Sequence, residues 1–328
     1  MKIELNTHER CMIDFAAQHP EVLVLSADLG SSCEVKKFRA TYPDRYLTMG
    51  IAEQNMCSWA AGLAREGYRP FLHTFSVFLY RRILDQLEMS VAYPNLPVVF
   101  VGFVPGITTP GGVTHQSIND VGVLRTVPNM AIFDIGDATE IEGVLKLAYD
   151  YNGPVFIRML RKEVPRLFPA SEPMQFNRAR VLSEGDDVLI LSSSICTEEA
   201  MRATAALKER GVSVQHMHVS TLKPFTDPTI VEALKKVKYG VVTIENQYNI
   251  GGLSSAVSEV IAENGIGKRL VKIGLPGYPH GASKMYLMKK YGIDAMHLVQ
   301  AVEELTGRDL HLTEQDLAEE RFVDFLEV

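Results

Sequence analysis

Short apolar runs alternate with longer amphipathic stretches along most of the chain. In the first half, the apolar runs predict strands at 21–27, 69–75, 96–103, 129–135 and 153–159. The stretches between them predict helices at 7–18, 52–65, 77–92, 117–127 and 138–151. Strands that are apolar at nearly every position and separated by helices are typical of a parallel sheet covered on both faces. The first half is therefore predicted to be a parallel-sheet α/β domain.

A proline-containing segment at 163–187 interrupts this pattern, and the alternation then resumes. The second half predicts strands at 187–193, 212–220, 240–246 and 269–275 and helices at 197–210, 227–238 and 252–264. We therefore expect two parallel-sheet α/β domains, at 1–165 and 187–328, joined by a linker at 166–186. The second domain is expected to support dimerisation rather than chemistry.

Composition excludes several classes of partner. The net charge is −7 and no run is rich in lysine or arginine, which argues against binding to nucleic acid or to an anionic membrane. The four cysteines stand far apart, as expected of small core residues in a reducing compartment. The N-terminus lacks the order of a signal peptide, and no apolar run reaches the length of a membrane span. The expectation is a cytoplasmic globular protein.

Ligands of parallel α/β sheets bind beyond the carboxyl ends of the strands, so the strand-to-helix loops hold the candidate chemistry. Glu53 opens a predicted helix, where an acid favours the helix dipole, and Gly67 follows as a terminator. Small and apolar neighbours surround Glu53, and desolvation raises the pKa of a carboxyl group. Glu53 is therefore either a capping anion or a proton donor.

Three further loops carry candidates of the same kind. Phe75 and Phe78 either pack in the core or stack on a planar ligand, and Arg81 and Arg82 follow them. His115 follows two glycines at a predicted strand end, which suits either a structural or a ligand-binding histidine. Arg161 follows another strand, as an anion clamp or a surface charge. Two weaker signals predict structure instead: Asp137 or Thr139 is expected to cap a helix, and the glycines of YNIGGLSSA lack the spacing of a dinucleotide fingerprint.

In this order the loops resemble the C-terminal half of the transketolase family of thiamine-diphosphate enzymes. The segments that carry the resemblance are SADLGSS, MGIAEQNMCSWAAGLAREGYRPFLHTFSVFLYRR, GGVTHQSINDVGVLRTVPNM and GPVFIRMLRKEVP, with STLKPFTD and TIENQYNIGGLSSAVSEVI in the second domain. Each segment alone is weak, whereas the ordered set spans nearly the whole chain.

The resemblance implies a cofactor site. Glu53 matches the glutamate that hydrogen-bonds the aminopyrimidine ring of thiamine diphosphate and promotes its imino tautomer, in which the ring removes the proton of the reactive carbon. Phe78, with Phe75 nearby, matches the aromatic shelf for that ring. Asp28 and Ile51 match positions beside the cofactor.

The resemblance also implies a sugar site. His115 matches a histidine that contacts a substrate hydroxyl or carbonyl oxygen. Ser32 and Arg161 match groups that bind the phosphate end of a sugar, and Arg81 lies where related synthases carry an arginine near the substrate. Two departures leave the sugar open: Gly111 stands where an aspartate usually reads a sugar hydroxyl, and Phe103 stands where transketolases carry a phosphate-contacting histidine.

A further implication concerns a partner. Family members bind the diphosphate and its Mg²⁺ or Ca²⁺ through a Gly-Asp-Gly…Asn segment, which this sequence lacks. The expectation is one subunit of a split transketolase, with no metal ligand of its own. A separate N-terminal chain would supply that segment, and two of each chain would form a heterotetramer.

Two alternatives remain open. The first is the β subunit of a 2-oxoacid dehydrogenase decarboxylating component, which shares the domain order and the cofactor glutamate. The second is a non-catalytic α/β subunit with a binding or regulatory role. His280 in the second domain is expected to be a surface residue.

Overall fold

The computed structural model describes residues 2–318. Its strands are β1 (Lys2–Leu5), β2 (Val22–Ser26), β3 (Tyr46–Thr48), β4 (Arg69–Phe75), β5 (Val99–Phe103), β6 (Ala131–Asp134), β7 (Val155–Met159), β8 (Glu163–Arg166), β9 (Arg180–Ser183), β10 (Val188–Ser192), β11 (Val214–His218), β12 (Thr221–Lys223), β13 (Gly240–Tyr248) and β14 (Arg269–Leu275). Its α-helices are α1 (Thr7–Gln18), α2 (Lys36–Thr41), α3 (Glu53–Arg65), α4 (Phe78–Arg81), α5 (Leu84–Gln86), α6 (Asp120–Leu124), α7 (Ala138–Asp150), α8 (Cys196–Glu209), α9 (Pro228–Lys236), α10 (Leu253–Glu263), α11 (Lys284–Tyr291) and α12 (Ala295–Thr306). A 3₁₀ turn at Pro43–Arg45 and a π-helical turn at Leu87–Ala92 complete the elements.

The first domain is built on a seven-stranded sheet in the order β12-β6-β7-β5-β4-β2-β3. All neighbouring pairs from β6 to β3 are parallel, and β12 joins the edge antiparallel to β6. Strands β2, β5, β6 and β7 are buried at every position, which explains their continuously apolar sequences. The predicted parallel sheet with two covered faces is confirmed.

The second domain is built on a five-stranded sheet in the order β14-β13-β10-β11-β9. It is parallel except for β9, which pairs antiparallel with β11. One apolar cluster contains Met56 and Ala60 of the first domain together with Leu189 and Val257 of the second. The two domains therefore share part of one core.

The structure corrects three local predictions. The helix predicted over 77–92 forms as the two short helices α4 and α5 and the π-helical turn at Leu87–Ala92. The predicted linker at 166–186 contains β9, a strand of the second sheet. The helix predicted over 117–127 forms only at Asp120–Leu124, because the backbone just before it is bonded elsewhere: the Tyr248 amide donates to the Ile118 carbonyl at 2.6 Å. The domain boundaries at 165 and 187 stay predictions.

The cysteines pack as the sequence predicted. Cys33, Cys57 and Cys196 are buried in three different apolar clusters, and Cys11 packs half-buried against one of them. Burial raises the pKa of each thiol, that of Cys57 to about 12, so none is a thiolate near neutral pH. Across residues 2–318, no helix has the length and apolar character to cross a membrane.

Candidate active site

Glu53 begins α3, as predicted, and is the acid in the first turn of that helix. The residue is only 4% exposed, and Arg82 Nη1 donates a hydrogen bond to its Oε1 at 2.6 Å. The carboxylate bonds Arg82 rather than a helix amide, while its place in the first turn still suits the helix dipole, so both interpretations remain predictions. The buried carboxylate faces the loop after β4, which is where the sequence placed the candidate chemistry.

Arg82 also lies on the ring of Phe78. Its guanidinium carbon is 3.9 Å from the ring centroid, a cation–π contact. The two residues are four apart on one helical segment, the spacing at which side chains on a helix meet. A planar cation thus rests on Phe78 and hydrogen-bonds Glu53 at the same time. The resemblance implies a role for the neighbouring Arg81 alone, although the four-residue spacing from Phe78 points to Arg82.

Phe75, Phe78 and His115 form an aromatic cluster. The two phenylalanine rings stack with centroids 5.9 Å apart, and the imidazole stands edge-on to both, at 6.0 and 5.7 Å. His115 Nδ1 hydrogen-bonds Thr114 Oγ1 at 2.9 Å, whereas Nε2 has no hydrogen-bond partner within residues 2–318. The structure therefore brings together the loops after β4 and β5, with one imidazole nitrogen available to a ligand.

The loops after β2 and β7 join the same cluster. Arg161 Nη1 donates to the Ser32 carbonyl at 2.9 Å, and its guanidinium carbon is 5.4 Å from the Phe75 centroid. Ser32 therefore contributes its backbone to this contact. Arg81 Nη1 donates to the Val113 carbonyl at 2.9 Å, so it supports the loop that carries His115.

Asp28 and Ile51 each lie near a residue already described, Asp28 beside Ser32 and Ile51 before Glu53. Asp28 has a left-handed backbone, with φ of 59°, and lines a polar cavity of about 280 Å³ together with Ser32, Lys36 and Arg39. Ile51 is 76% exposed, two residues before Glu53. Among the described residues, no hydrogen bond joins either side chain to the aromatic cluster.

Three other residues singled out from the sequence are Phe103, Gly111 and His280. Phe103 is fully buried against the rings of His8 and His73, so it does not reach the candidate site. A Cβ added to Gly111 would lie 2.8 Å from the Cβ of His115, so glycine at this position leaves room for the imidazole. His280 is exposed in the second domain, with Nε2 at 3.1 Å from Lys290 Nζ.

Comparison with known proteins identifies the family of the chain. Residues 6–166 match the family model described as "Transketolase, pyrimidine binding domain", and residues 177–298 match "Transketolase, C-terminal domain". The chain is 35% identical over 312 residues to the 6-deoxy-6-sulfo-D-fructose transketolase subunit SqwH of Clostridium sp. (strain MSTE9), covering 92% of this chain and 94% of that protein. The chain belongs to the transketolase family.

Other similar proteins place this transketolase-family chain more closely. A solved structure described as "Split gene transketolase, inactive beta4 tetramer" superposes with a TM-score of 0.85 at 34% identity, covering 92% of this chain and 97% of that one. A 1-deoxy-D-xylulose-5-phosphate synthase of Symbiobacterium thermophilum is 33% identical over 90% of this chain, but only 46% of that protein is covered. The likeness thus extends over nearly the full length of a split transketolase chain and about half of a synthase.

Proposed function

We propose that this chain is the C-terminal subunit of a two-chain, thiamine-diphosphate-dependent transketolase. It would move a two-carbon ketol unit from a ketose or ketose-phosphate donor to an aldose acceptor. The observation that carries the proposal is the arrangement of Glu53, Phe78 and Arg82: a buried carboxylate and an aromatic face already hold a planar nitrogen-bearing group between them.

The residues present fit the aminopyrimidine half of the cofactor. An aminopyrimidine, like a guanidinium, is planar and offers N–H donors in the plane of the group. Phe78 provides the stacking face, and the Glu53 carboxyl provides the hydrogen-bond partner for a ring nitrogen: it donates when it carries the shared proton and accepts when the ring carries it. Arg82 must leave Glu53 before a pyrimidine can take its place. We infer that the metal and the diphosphate are held by the partner chain.

In this proposal, the chain's own residues bind, orient and exchange a proton. Glu53 Oε1 holds the proton shared with the pyrimidine ring, in a pocket where its 4% exposure keeps water away. Phe78 fixes the plane of the ring, and His115 Nε2 contacts an oxygen of the sugar. When bound, thiamine diphosphate supplies the electron sink for the two-carbon fragment.

The proposed partner is an N-terminal transketolase chain with the Gly-Asp-Gly…Asn segment, in a heterotetramer with two copies of each chain in the cytoplasm. The high mutual coverage with SqwH and with the split-gene transketolase supports a subunit of this kind. That split-gene structure is described as an inactive tetramer of β chains, which is consistent with a requirement for a second type of chain in this protein as well.

The proposed substrates carry an anionic end. The name of SqwH specifies a sulfonated fructose, and both sulfonate and phosphate suit the planar donors of an arginine. Arg161 is held beside Phe75 by its bond to the Ser32 carbonyl, in reach of a sugar bound at His115. We therefore infer that Arg161 binds the charged end of the donor or acceptor sugar.

The test is Glu53→Gln in the enzyme reconstituted with its partner chain. Ketol transfer should be lost, because an amide cannot exchange the proton, while the two chains still assemble. Glu66→Gln, an exposed acid directly after the same helix, is the matched control and should retain full turnover. Equal turnover in both variants would remove the catalytic assignment of Glu53.

A further inference from the structure

The loop that carries His115 is seated on the second domain. It connects β5 to α6 and spans residues 104–119. Ile107 and Ile118, near its two ends, are 0% and 2% exposed and belong to the apolar core of the second domain. The loop of the candidate active site is therefore packed into a different domain from the strand that leads into it.

One second-domain side chain bonds the start of this loop. Asn246, on β13, accepts a hydrogen bond from the Ile107 amide at Oδ1 (3.0 Å) and donates from Nδ2 to the Pro105 carbonyl (3.2 Å). Asn246 is fully buried, so it satisfies two backbone groups that have no access to water. Gly106 lies between them with φ of +57°, and a Cβ there would be 2.2 Å from Asn246 Oδ1. Only glycine allows this approach.

The end of the loop is bonded to the same strand. The Tyr248 amide donates to the Ile118 carbonyl at 2.6 Å, and the Gly106 amide donates to the Ser117 carbonyl at 2.7 Å. Buried Arg158 links both sides, since its Nη2 donates to the Ser117 carbonyl (3.3 Å) and to the Asn246 carbonyl (3.1 Å). Strand β13 thus holds the loop at its start and at its end.

The tip of the loop touches the second domain as well. A Cβ on Gly281 would lie 2.6 Å from the Pro110 carbonyl oxygen, and a Cβ on Gly112 would lie 3.3 Å from the Gly281 amide nitrogen. Within the loop, Gln116 Nε2 donates to the Thr109 carbonyl at 3.0 Å. His115 therefore belongs to a short segment that is braced internally and held at three places by the second domain.

We propose that Asn246 is a positioning residue that sets where His115 meets the sugar. The inference rests on the proposed function, because it takes His115 as the sugar contact. Replacing Asn246 leaves the Ile107 amide and the Pro105 carbonyl buried without their partner, and the loop relieves this by shifting. Such a shift moves His115 but leaves Glu53 and Phe78, which lie on other loops, in place. The second domain thereby controls sugar binding without touching the cofactor.

The experiment measures sugar KM, kcat and cofactor affinity in the reconstituted two-chain enzyme. Asn246→Ala should raise the KM for the sugars about tenfold. This is less than the roughly hundredfold loss of rate that a misplacement of about 1 Å can cause. Cofactor affinity, measured by calorimetry, should stay within about twofold of the parent, since Glu53 and Phe78 do not move. Asn246→Asp keeps the acceptor for the Ile107 amide and should show a smaller rise. It also serves as the test if the alanine variant does not fold.

A double-mutant cycle with His115→Ala shows whether Asn246 acts through the histidine. If it does, Asn246→Ala adds little to the KM of the His115→Ala enzyme. Thr243 is another buried polar residue on β13, and Thr243→Ala is the control for general loss of stability. This variant should leave the KM values for the donor and acceptor sugars unchanged. Additive effects, or equal losses of sugar and cofactor binding in Asn246→Ala, would overturn the inference. A normal sugar KM in His115→Ala alone would instead refute the proposed role of His115.

Discussion

Removal of Arg82 should tighten cofactor binding. In the structure, its guanidinium occupies both groups proposed to bind the pyrimidine, the Glu53 carboxylate and the face of Phe78. The cofactor must displace it before either contact can form. The free energy needed to break these two contacts therefore subtracts from the binding of the pyrimidine, and Arg82→Ala removes that opposition.

The structure sets the size of the effect. The Arg82 side chain is 44% exposed while that of Glu53 is 4% exposed, so solvent screens the ion pair and its contribution is about 1 kcal/mol. An exposed cation–π contact adds about 0.5–1 kcal/mol. Together these contacts oppose binding by about 1.5–2 kcal/mol, which corresponds to about 10- to 30-fold in the dissociation constant.

Calorimetric titration of the two-chain enzyme with thiamine diphosphate measures this change directly. Arg81→Ala is the matched control, because Arg81 is the adjacent arginine and bonds the Val113 carbonyl instead of Glu53. Its cofactor affinity should equal that of the parent. Titration with the free aminopyrimidine half of thiamine should show the same preference for Arg82→Ala, which separates the effect from contacts to the diphosphate. Weaker or unchanged binding in Arg82→Ala would refute the competition.

Two further predictions concern the histidines. Gly111→Ala places a Cβ 2.8 Å from that of His115 and should raise the KM for the sugar about tenfold in steady-state kinetics. Gly267→Ala is the control, because a Cβ there has nothing within 4 Å, and its KM should not change. An unchanged KM in Gly111→Ala would show that the loop absorbs the methyl group. Burial lowers the pKa of His216 from 6.5 to about 3, so the unfolded chain binds more protons than the folded one between these values. Its contribution to stability is therefore complete above pH 6.5 and is lost as the pH falls, by about 2 kcal/mol at pH 5. Urea unfolding at pH 7 and pH 5 should show a smaller decrease for His216→Gln than for the parent, and equal decreases would contradict the assignment.

Local sequence patterns predict the elements whose stability is local. The apolar run at 69–75 coincides with β4, and Asp137 caps α7 by accepting from the Glu140 amide, as expected of an acid just before a helix. A strand buried on both faces requires apolar residues at nearly every position, and the unpaired amides at a helix start favour an acceptor side chain just before them. Both requirements are visible in the local sequence.

Contacts between segments that are distant in the chain could not be predicted from local sequence patterns. β9 and β12 are short strands at sheet edges, and their partners are set by the tertiary fold rather than by their own sequences. Asn246 and Ile107 are 139 residues apart, so nothing in either segment indicates the bond between them. Among the site residues, the resemblance to related synthases assigned a role to Arg81 and none to the adjacent Arg82. The direction of each side chain on the helical segment decides between them.

The short strand β12 has a consequence for synthesis of the chain. It pairs with β6 and covers an edge of the first sheet that would otherwise present unpaired backbone groups. Thr221 follows Asp134, the last residue of β6, by 87 positions (221 − 134). At ribosomal rates of about 5–20 residues per second, the edge of β6 therefore stays unpaired for about 4–17 seconds before β12 is synthesised. A fragment that stops after the first domain keeps the edge open permanently and is expected to aggregate. The folding unit of the first domain therefore includes β12, which lies in the second half of the sequence. A gene truncated or exchanged at the apparent domain boundary would lose this strand.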